Sequence, residues 1–317
     1  MRVASAPRGQ LAISNAIQLM LRVIAVTILL WAFASVLLAT ARGDFSDALR
    51  ATPGSILLAA TIYALGQIMR VVRLALLIGD ARLSIRHVAN LHFFTAGVAL
   101  GTPLRLGDAY RATELGRTTG GLIIGFTYVW IERLLDAAVI LPLLLYAASR
   151  RGDEASTYLG ITAFTLLFVS FSVLLVALLP DNLRRVGTYL IRRHEGQWSI
   201  RALRLMDDVR AVIRRIPVML RGKIASLTAL TLLVWLFELG SFTVVTLSWN
   251  PGSDPLGGLL AFLSQTTGGG ILPDLLARAP NLNPAELAYL SGSQAPLALV
   301  ALAAAVQYLR VSHRRKS

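Results

Sequence analysis

No cysteine occurs among the 317 residues. Its absence removes disulfides, thiol nucleophiles and thiolate metal sites, and it leaves the redox compartment unreadable. Histidine is scarce: His87, His92, His194 and His313 lie too far apart in sequence to suggest a metal cluster, and His92, beside an apolar run, reads as structural. Charged side chains make up only 15% of the chain against 55% hydrophobic ones, and the mean hydropathy is +0.64. That composition leaves no room for a soluble catalytic domain of ordinary size and is that of a polytopic membrane protein. No small-residue cleavage site follows the first apolar run, near Val26 to Thr40, so the run is expected to be retained as a span. Acidic residues are the minority, 17 against 31 Lys and Arg, for a formal charge of +14. Nucleic acid is not the implied partner, because the basic residues sit between apolar runs, where the cytoplasmic bias of Lys and Arg accounts for them.

A transmembrane helix needs about 20 mostly apolar residues. Leu21 to Ala39, Gly54 to Leu77, Gly121 to Ala148, Tyr158 to Leu179, Ile224 to Trp249 and Ala295 to Tyr308 fit that length. Two shorter, Gly-containing runs, Val88 to Leu104 and Leu256 to Leu272, fit re-entrant or broken helices as well as short spans. Charge decides between these. If both short runs re-enter, the connection 180–223, with 11 basic and four acidic residues, lies in the cytoplasm with 105–120 and both termini; if both cross, that basic segment moves outside. The expected fold is therefore an all-α polytopic membrane protein. It has about six full spans and two re-entrant hairpins, in one integral domain 1–317. The hairpins enter from opposite sides, an inverted arrangement of the kind that places substrate near the membrane midplane. Within 180–223, Leu203, Met206, Val209, Ile213 and Ile216 recur at helical spacing among Arg204, Asp208, Arg210, Arg214 and Arg215, an amphipathic basic helix. It serves either as an interfacial segment attracting anionic lipid or as an orientation-setting linker.

Charges at bilayer depth cost at least a few kcal/mol, so those that persist usually face a polar cavity. They crowd GTPLRLGDAYRATEL, with Arg105, Asp108, Arg111 and Glu114, and WIERLLDAAVILPLLL, with Glu132, Arg133 and Asp136. Spaced i, i+3 and i+6, Arg105, Asp108 and Arg111 run roughly along one side of a helix that can begin at Pro103. Its free N–H groups and the arginine forks suit phosphate. Glu132 and Asp136 share a face at i, i+4 and need a cation from Arg105, Arg111, Arg70 or Arg73; Arg70 and Arg73, near a span end, alternatively snorkel. The whole set reads either as a head-group site or as a buried ion-pair network that fixes helix positions. Glu238 is a further intramembrane acid, either a proton-coupling group or a neutral hydrogen-bonded one. In SQTTGGGILPD, Gly268, Gly269 and Gly270 permit unwound backbone, with Asp274 nearby. Gly121 and Gly125 form a GxxxG, a packing or dimer cue.

At PLRLGDAYR (Pro103, Arg105, Gly107, Asp108, Arg111), at IERLLD (Glu132, Arg133, Asp136) and at the paired arginines of QIMRVVRLALLIG, the chain resembles the flippase-like integral membrane family that includes the transmembrane region of lysylphosphatidylglycerol synthases. The resemblance implies a multi-pass inner-membrane protein that moves aminoacylated phospholipids, or other anionic or polyisoprenyl phosphate lipids, between leaflets. The late motif departs from the family's Pro-Gly-Gly followed by glutamate: here Thr266, Thr267 and three glycines precede Asp274. The synthases' soluble aminoacyl-transfer domain has no counterpart here, so the chain is not expected to make lysylphosphatidylglycerol alone. These expectations describe a lipid translocator without cofactor, metal or covalent step. Arg70, Arg73, Arg105, Asp108, Arg111, Glu132, Arg133 and Asp136 bind or orient the head group, Gly268 to Gly270 with Asp274 gate the outer side, and Glu238 is the coupling candidate. The rival readings are a membrane-embedded transferase using a lipid-linked donor, with Asp108, Glu132 or Asp136 as base or Mg2+ ligand, and a non-transporting partner of a lipid-modifying enzyme.

Overall fold

A computed structural model gives the structure of the protein and describes residues 20–31, 34, 53–79, 83–102, 106–150, 155–193, 196–249, 251–259 and 284–314. Among them every element is helical: α1 (Met20–Trp31), α2 (Pro53–Ile78), α3 (Ile85–Gly101), α4 (Leu106–Thr119), α5 (Leu122–Arg150), α6 (Ala155–Arg193), α7 (Gln197–Leu220), α8 (Ile224–Trp249) and α9 (Pro284–Arg314). A further helical stretch begins at residue 255.

The antiparallel pair of α2 and α8 is the most extensively packed. At one end, Lys223 Nζ, just ahead of α8, donates to the Leu76 carbonyl at 2.9 Å. Toward the other end, Ser241 Oγ donates to the Ala59 carbonyl at 2.9 Å. Between them Gly66 permits close approach, since a Cβ there would stand 3.3 Å from Phe237 Cβ. α2 stops because Gly79 takes a left-handed φ of 61° and its N–H closes on the Ala75 carbonyl at 3.0 Å. The Lys223 ammonium then sits where the helix dipole is negative.

α3 and α4 form a tight hairpin. Ser84 caps the start of α3 by accepting from the His87 N–H at 3.3 Å. At the other end the Thr102 hydroxyl donates to the Val98 carbonyl at 3.1 Å and accepts from the Gly107 N–H at 3.0 Å, which ties the end of α3 to the first turn of α4. Gly107 faces Ala99 so closely that a Cβ would collide with its backbone. The segment 105–120, expected as a cytoplasmic connection, is thus mostly a packed helix: Ala112 and Leu115 are fully buried and Glu114 is 2% exposed. α4 turns directly into α5, and a Cβ on Gly125 would strike the Ala112 carbonyl and Gly116. The GxxxG cue is therefore spent on contact within the chain at Gly125.

Three helices among the described residues are long and apolar enough to cross a membrane: Pro53–Ile78, Leu159–Arg192 and Ile224–Trp249. α5 has 29 residues, about 44 Å at 1.5 Å each, but Glu132, Arg133 and Asp136 interrupt its apolar run. α6 presents Phe164, Leu167 and Phe171, each at least 65% exposed, a bare apolar side that suits lipid and not water. Gly268, Gly269, Gly270, Asp274, Pro103 and Arg105 all lie outside the described residues. The second short run is described only to residue 259. There Asp254 Oδ1 accepts from the Gly257 N–H at 3.2 Å, and Gly258 packs on Phe242, so the chain turns back onto α8.

The amphipathic stretch 180–223 forms two elements. α6 runs on through Pro180 to Arg193, and α7 returns against it, with Leu203 beside Gly187. Leu203, Met206, Val209, Ile213 and Ile216 lie inward or half-buried, while Arg204, Asp208, Arg214 and Arg215 are exposed.

Candidate functional site

Six charged side chains from three helices meet in the interior, balanced three to three. Arg133 on α5 forks onto Asp108 at the start of α4, with Nη2 at 2.7 Å from Oδ1 and Nε at 2.9 Å from Oδ2. Its Nη1 reaches Asp136 Oδ2 at 3.4 Å. Arg73 on α2 forks onto Asp136 at 2.6 Å and 3.4 Å, donates to Thr231 Oγ1 on α8 at 3.1 Å, and lies 3.5 Å from Glu132 Oε1. Arg111 on α4 stands 2.9 Å from Glu132 Oε2 and donates to His92 Nδ1 on α3 at 3.3 Å. His92 Nε2 is 3.1 Å from Gln67 Oε1, so a neutral ring protonated at Nε2 matches both neighbours. Five helices are joined through one polar knot.

Local sequence explains which acid goes where. Steps of three residues drift backward by about 60° around a helix of 3.6 residues per turn. Asp108 therefore faces α5, Arg111 faces Glu132 and His92, and Glu114 has turned to other partners. Glu114 accepts from Arg117 at 2.9 Å, from Arg22 on α1 at 3.4 Å, and from the Tyr308 hydroxyl on α9 at 2.7 Å. This second cluster sits where α1, α4 and α9 meet.

A third polar group joins α2, α8 and α9. Arg70 Nη2 donates to Glu238 Oε2 at 2.8 Å, and the Tyr289 hydroxyl donates to Glu238 Oε1 at 2.8 Å. Glu238 is thus an ion-paired acceptor, not a lone acid. Among the described residues, the cations proposed for Glu132 and Asp136 sort so that Arg73 and Arg111 pair with them and Arg70 pairs with Glu238. Arg73, at 3% exposure, does not snorkel. Sequence reasoning missed Gln67, Thr231 and Tyr289, because single polar residues in apolar runs carry no periodic signal; His92, read as structural, is hydrogen-bonded between Arg111 and Gln67.

Exposure grades across the main cluster. The Glu132 side chain is 2% exposed and that of Arg73 3%, whereas those of Arg133 and Asp108 are 34% and 20% exposed. The Arg133–Asp108 fork is the more exposed side of the cluster and Glu132 its most buried member. Glu132 lies at ion-pair distance from two arginines, 3.5 Å from Arg73 and 2.9 Å from Arg111. Among the described residues, no group of three or more His, Cys, Asp or Glu side chains is arranged to hold a metal.

A family model described as the lysylphosphatidylglycerol synthase TM region matches residues 19–273. The chain belongs to this family. The match spans all three charged clusters except their α9 members, Tyr289 and Tyr308. Family membership and the apolar helices make this a membrane protein tied to phospholipid metabolism or transport. No curated protein and no solved structure matches the chain.

Proposed function

We propose that the protein moves a phosphate-bearing lipid between the leaflets of the cytoplasmic membrane, through the Arg73, Arg111, Arg133, Asp108, Glu132 and Asp136 cluster. The guanidinium forks carry this reading: Arg133 and Arg73 each hold a carboxylate through two N–H donors, the geometry that phosphate oxygens also take, and the Arg133–Asp108 fork is the exposed part of the cluster. Arg105, expected from the sequence to bind the head group, lies outside the described residues.

The head group enters at the half-exposed Arg133–Asp108 fork, where phosphate competes with Asp108 for a guanidinium already able to bind two oxygens. Exchange of one oxyanion for another keeps the arginine paired throughout. Glu238, held by Arg70 and Tyr289, is the coupling group of the proposal, and Gly268 to Gly270 with Asp274 form its outer gate. No covalent step is involved.

Topology supports the same path. α3 and α4 leave and return to the end of the bundle where α2 ends and α8 begins, and α4 starts level with Arg133, beyond which α5 continues for 17 residues to Arg150. That is about 26 Å of further helix. A hairpin whose second helix begins partway along α5 supports the re-entrant reading. In this reading the basic end of the molecule, and both termini, face the cytoplasm.

The test is leaflet exchange in proteoliposomes, comparing head-group-labelled phosphatidylglycerol with a labelled neutral glycolipid. Exchange of the phosphate-bearing lipid alone is expected. Equal exchange of both would remove phosphate recognition, and exchange of neither would remove translocation.

A further inference from the structure

Outside the polar clusters, one surface has an apolar seam that is covered at one end and bare at the other. Along α7, Trp198, Ala202, Leu205, Val209, Val212, Ile216 and Met219 follow alternating steps of four and three residues, which aligns them on one flank. At the C-terminal end Val212 and Ile216 are buried, at 9% and 5% exposure, and Ile216 and Met219 join the main apolar core of the transmembrane bundle. At the N-terminal end Trp198 is 81% exposed and Leu205 58%. Fourteen residues separate Trp198 from Val212, about 21 Å of helix. The flank that meets the bundle therefore extends past it, with an indole and a leucine still facing the same way.

Three candidates can cover that end. A second copy is disfavoured by charge, because the segment 180–223 carries 11 basic and four acidic residues and two copies would repel. An acidic soluble protein fits the charge but is not needed to explain why the seam runs on from the bundle. The membrane surface meets both conditions: it surrounds the bundle, and its anionic head groups complement the arginines. Arg201 lies on the seam's edge, its guanidinium 5.5 Å from the Trp198 ring centroid, an arrangement in which an aromatic ring and a cation share one interfacial position. Exposed Arg204, Arg214, Arg215 and Arg221 follow along the helix.

We propose that the exposed side of α7 is an interfacial anchor that binds the anionic lipid surface beside the bundle, with Trp198 and Leu205 inserted at its N-terminal end and Arg201, Arg204 and Arg215 on lipid phosphates. Polybasic segments with inserted aromatic residues bind in this way, and each arginine adds to an attraction that salt screens. The α6 extension Pro180–Arg193 holds this helix at the leaflet, because α7 packs along it. The anchor is separate from the lipid path and stands whether or not the chain moves lipid.

Because the chain has no cysteine, Leu205→Cys carrying an apolar environment-sensitive fluorophore reports one site in the full-length protein. The probe is quenching by brominated phospholipid in vesicles of phosphatidylcholine alone or mixed equally with phosphatidylglycerol. At least about twofold stronger quenching is expected in the anionic vesicles, falling to the neutral level in high salt or when Arg201, Arg204 and Arg215 are changed to Gln. No quenching in either vesicle would overturn the anchor and leave α7 as a surface for a soluble partner. Equal quenching in both would overturn recognition of anionic lipid.

Discussion

Arg73 shows most clearly what the buried charges do. It forks onto Asp136, reaches Glu132 and Thr231, and is 3% exposed. Removing it leaves two buried carboxylates short of a cation, so Arg73→Leu is expected to destabilise the protein by about 3–5 kcal/mol, read as loss of thermal stability in detergent. The double variant Arg73→Leu, Asp136→Leu deletes both partners of the stronger pair and should recover most of that loss, yet leave lipid exchange abolished. Recovery of exchange along with stability would mean that the pair only fixes helix positions. Part of this was legible in sequence: Glu132 and Asp136 at i, i+4 had to share a face and needed a cation. Which arginine answers was not, because Arg70 and Arg73 are one turn apart on α2 and only the packing of α8 assigns Arg70 to Glu238.

Among the helices, glycines decide how close the charged side chains come. Gly125 holds α5 against α4 at the Ala112 carbonyl, one to two turns from the Glu132–Arg111 and Arg133–Asp108 pairs. Gly125→Ala must push the two backbones apart and is expected to cost about 1–3 kcal/mol. Gly121→Ala, where the nearest atoms are side-chain carbons of Ile124 at 3.9 Å and beyond, should be close to neutral. Thermal melts of the two variants check the contrast; equal melting temperatures would contradict the close packing. The helices α2, α5, α6 and α8 lie where long apolar runs predict them, since length and hydropathy report what lipid requires. Residues 105–120 were harder, because charges spaced through a short segment resemble a solvated connection. Their burial depends on partners supplied by α1, α5 and α9, which no local pattern encodes.

For the molecule as a whole, the central claims are sidedness and a polar path. Basic residues gather where α2 ends and α8 begins, so single cysteines at Arg192 and Ser253 are expected to react with an impermeant maleimide from opposite faces of the membrane, Arg192 from the cytoplasmic one. Reaction of both from one face would contradict the topology. The most direct measurement of the path itself is the rate of leaflet exchange of labelled phosphatidylglycerol in proteoliposomes, for the natural chain, Arg133→Gln and Asp108→Asn, each confirmed monodisperse. Exchange lost with Arg133→Gln but retained with Asp108→Asn, which frees the guanidinium from its competing carboxylate, is the predicted result. Unchanged exchange in well-folded Arg133→Gln would contradict the claim that lipid phosphate passes through this cluster.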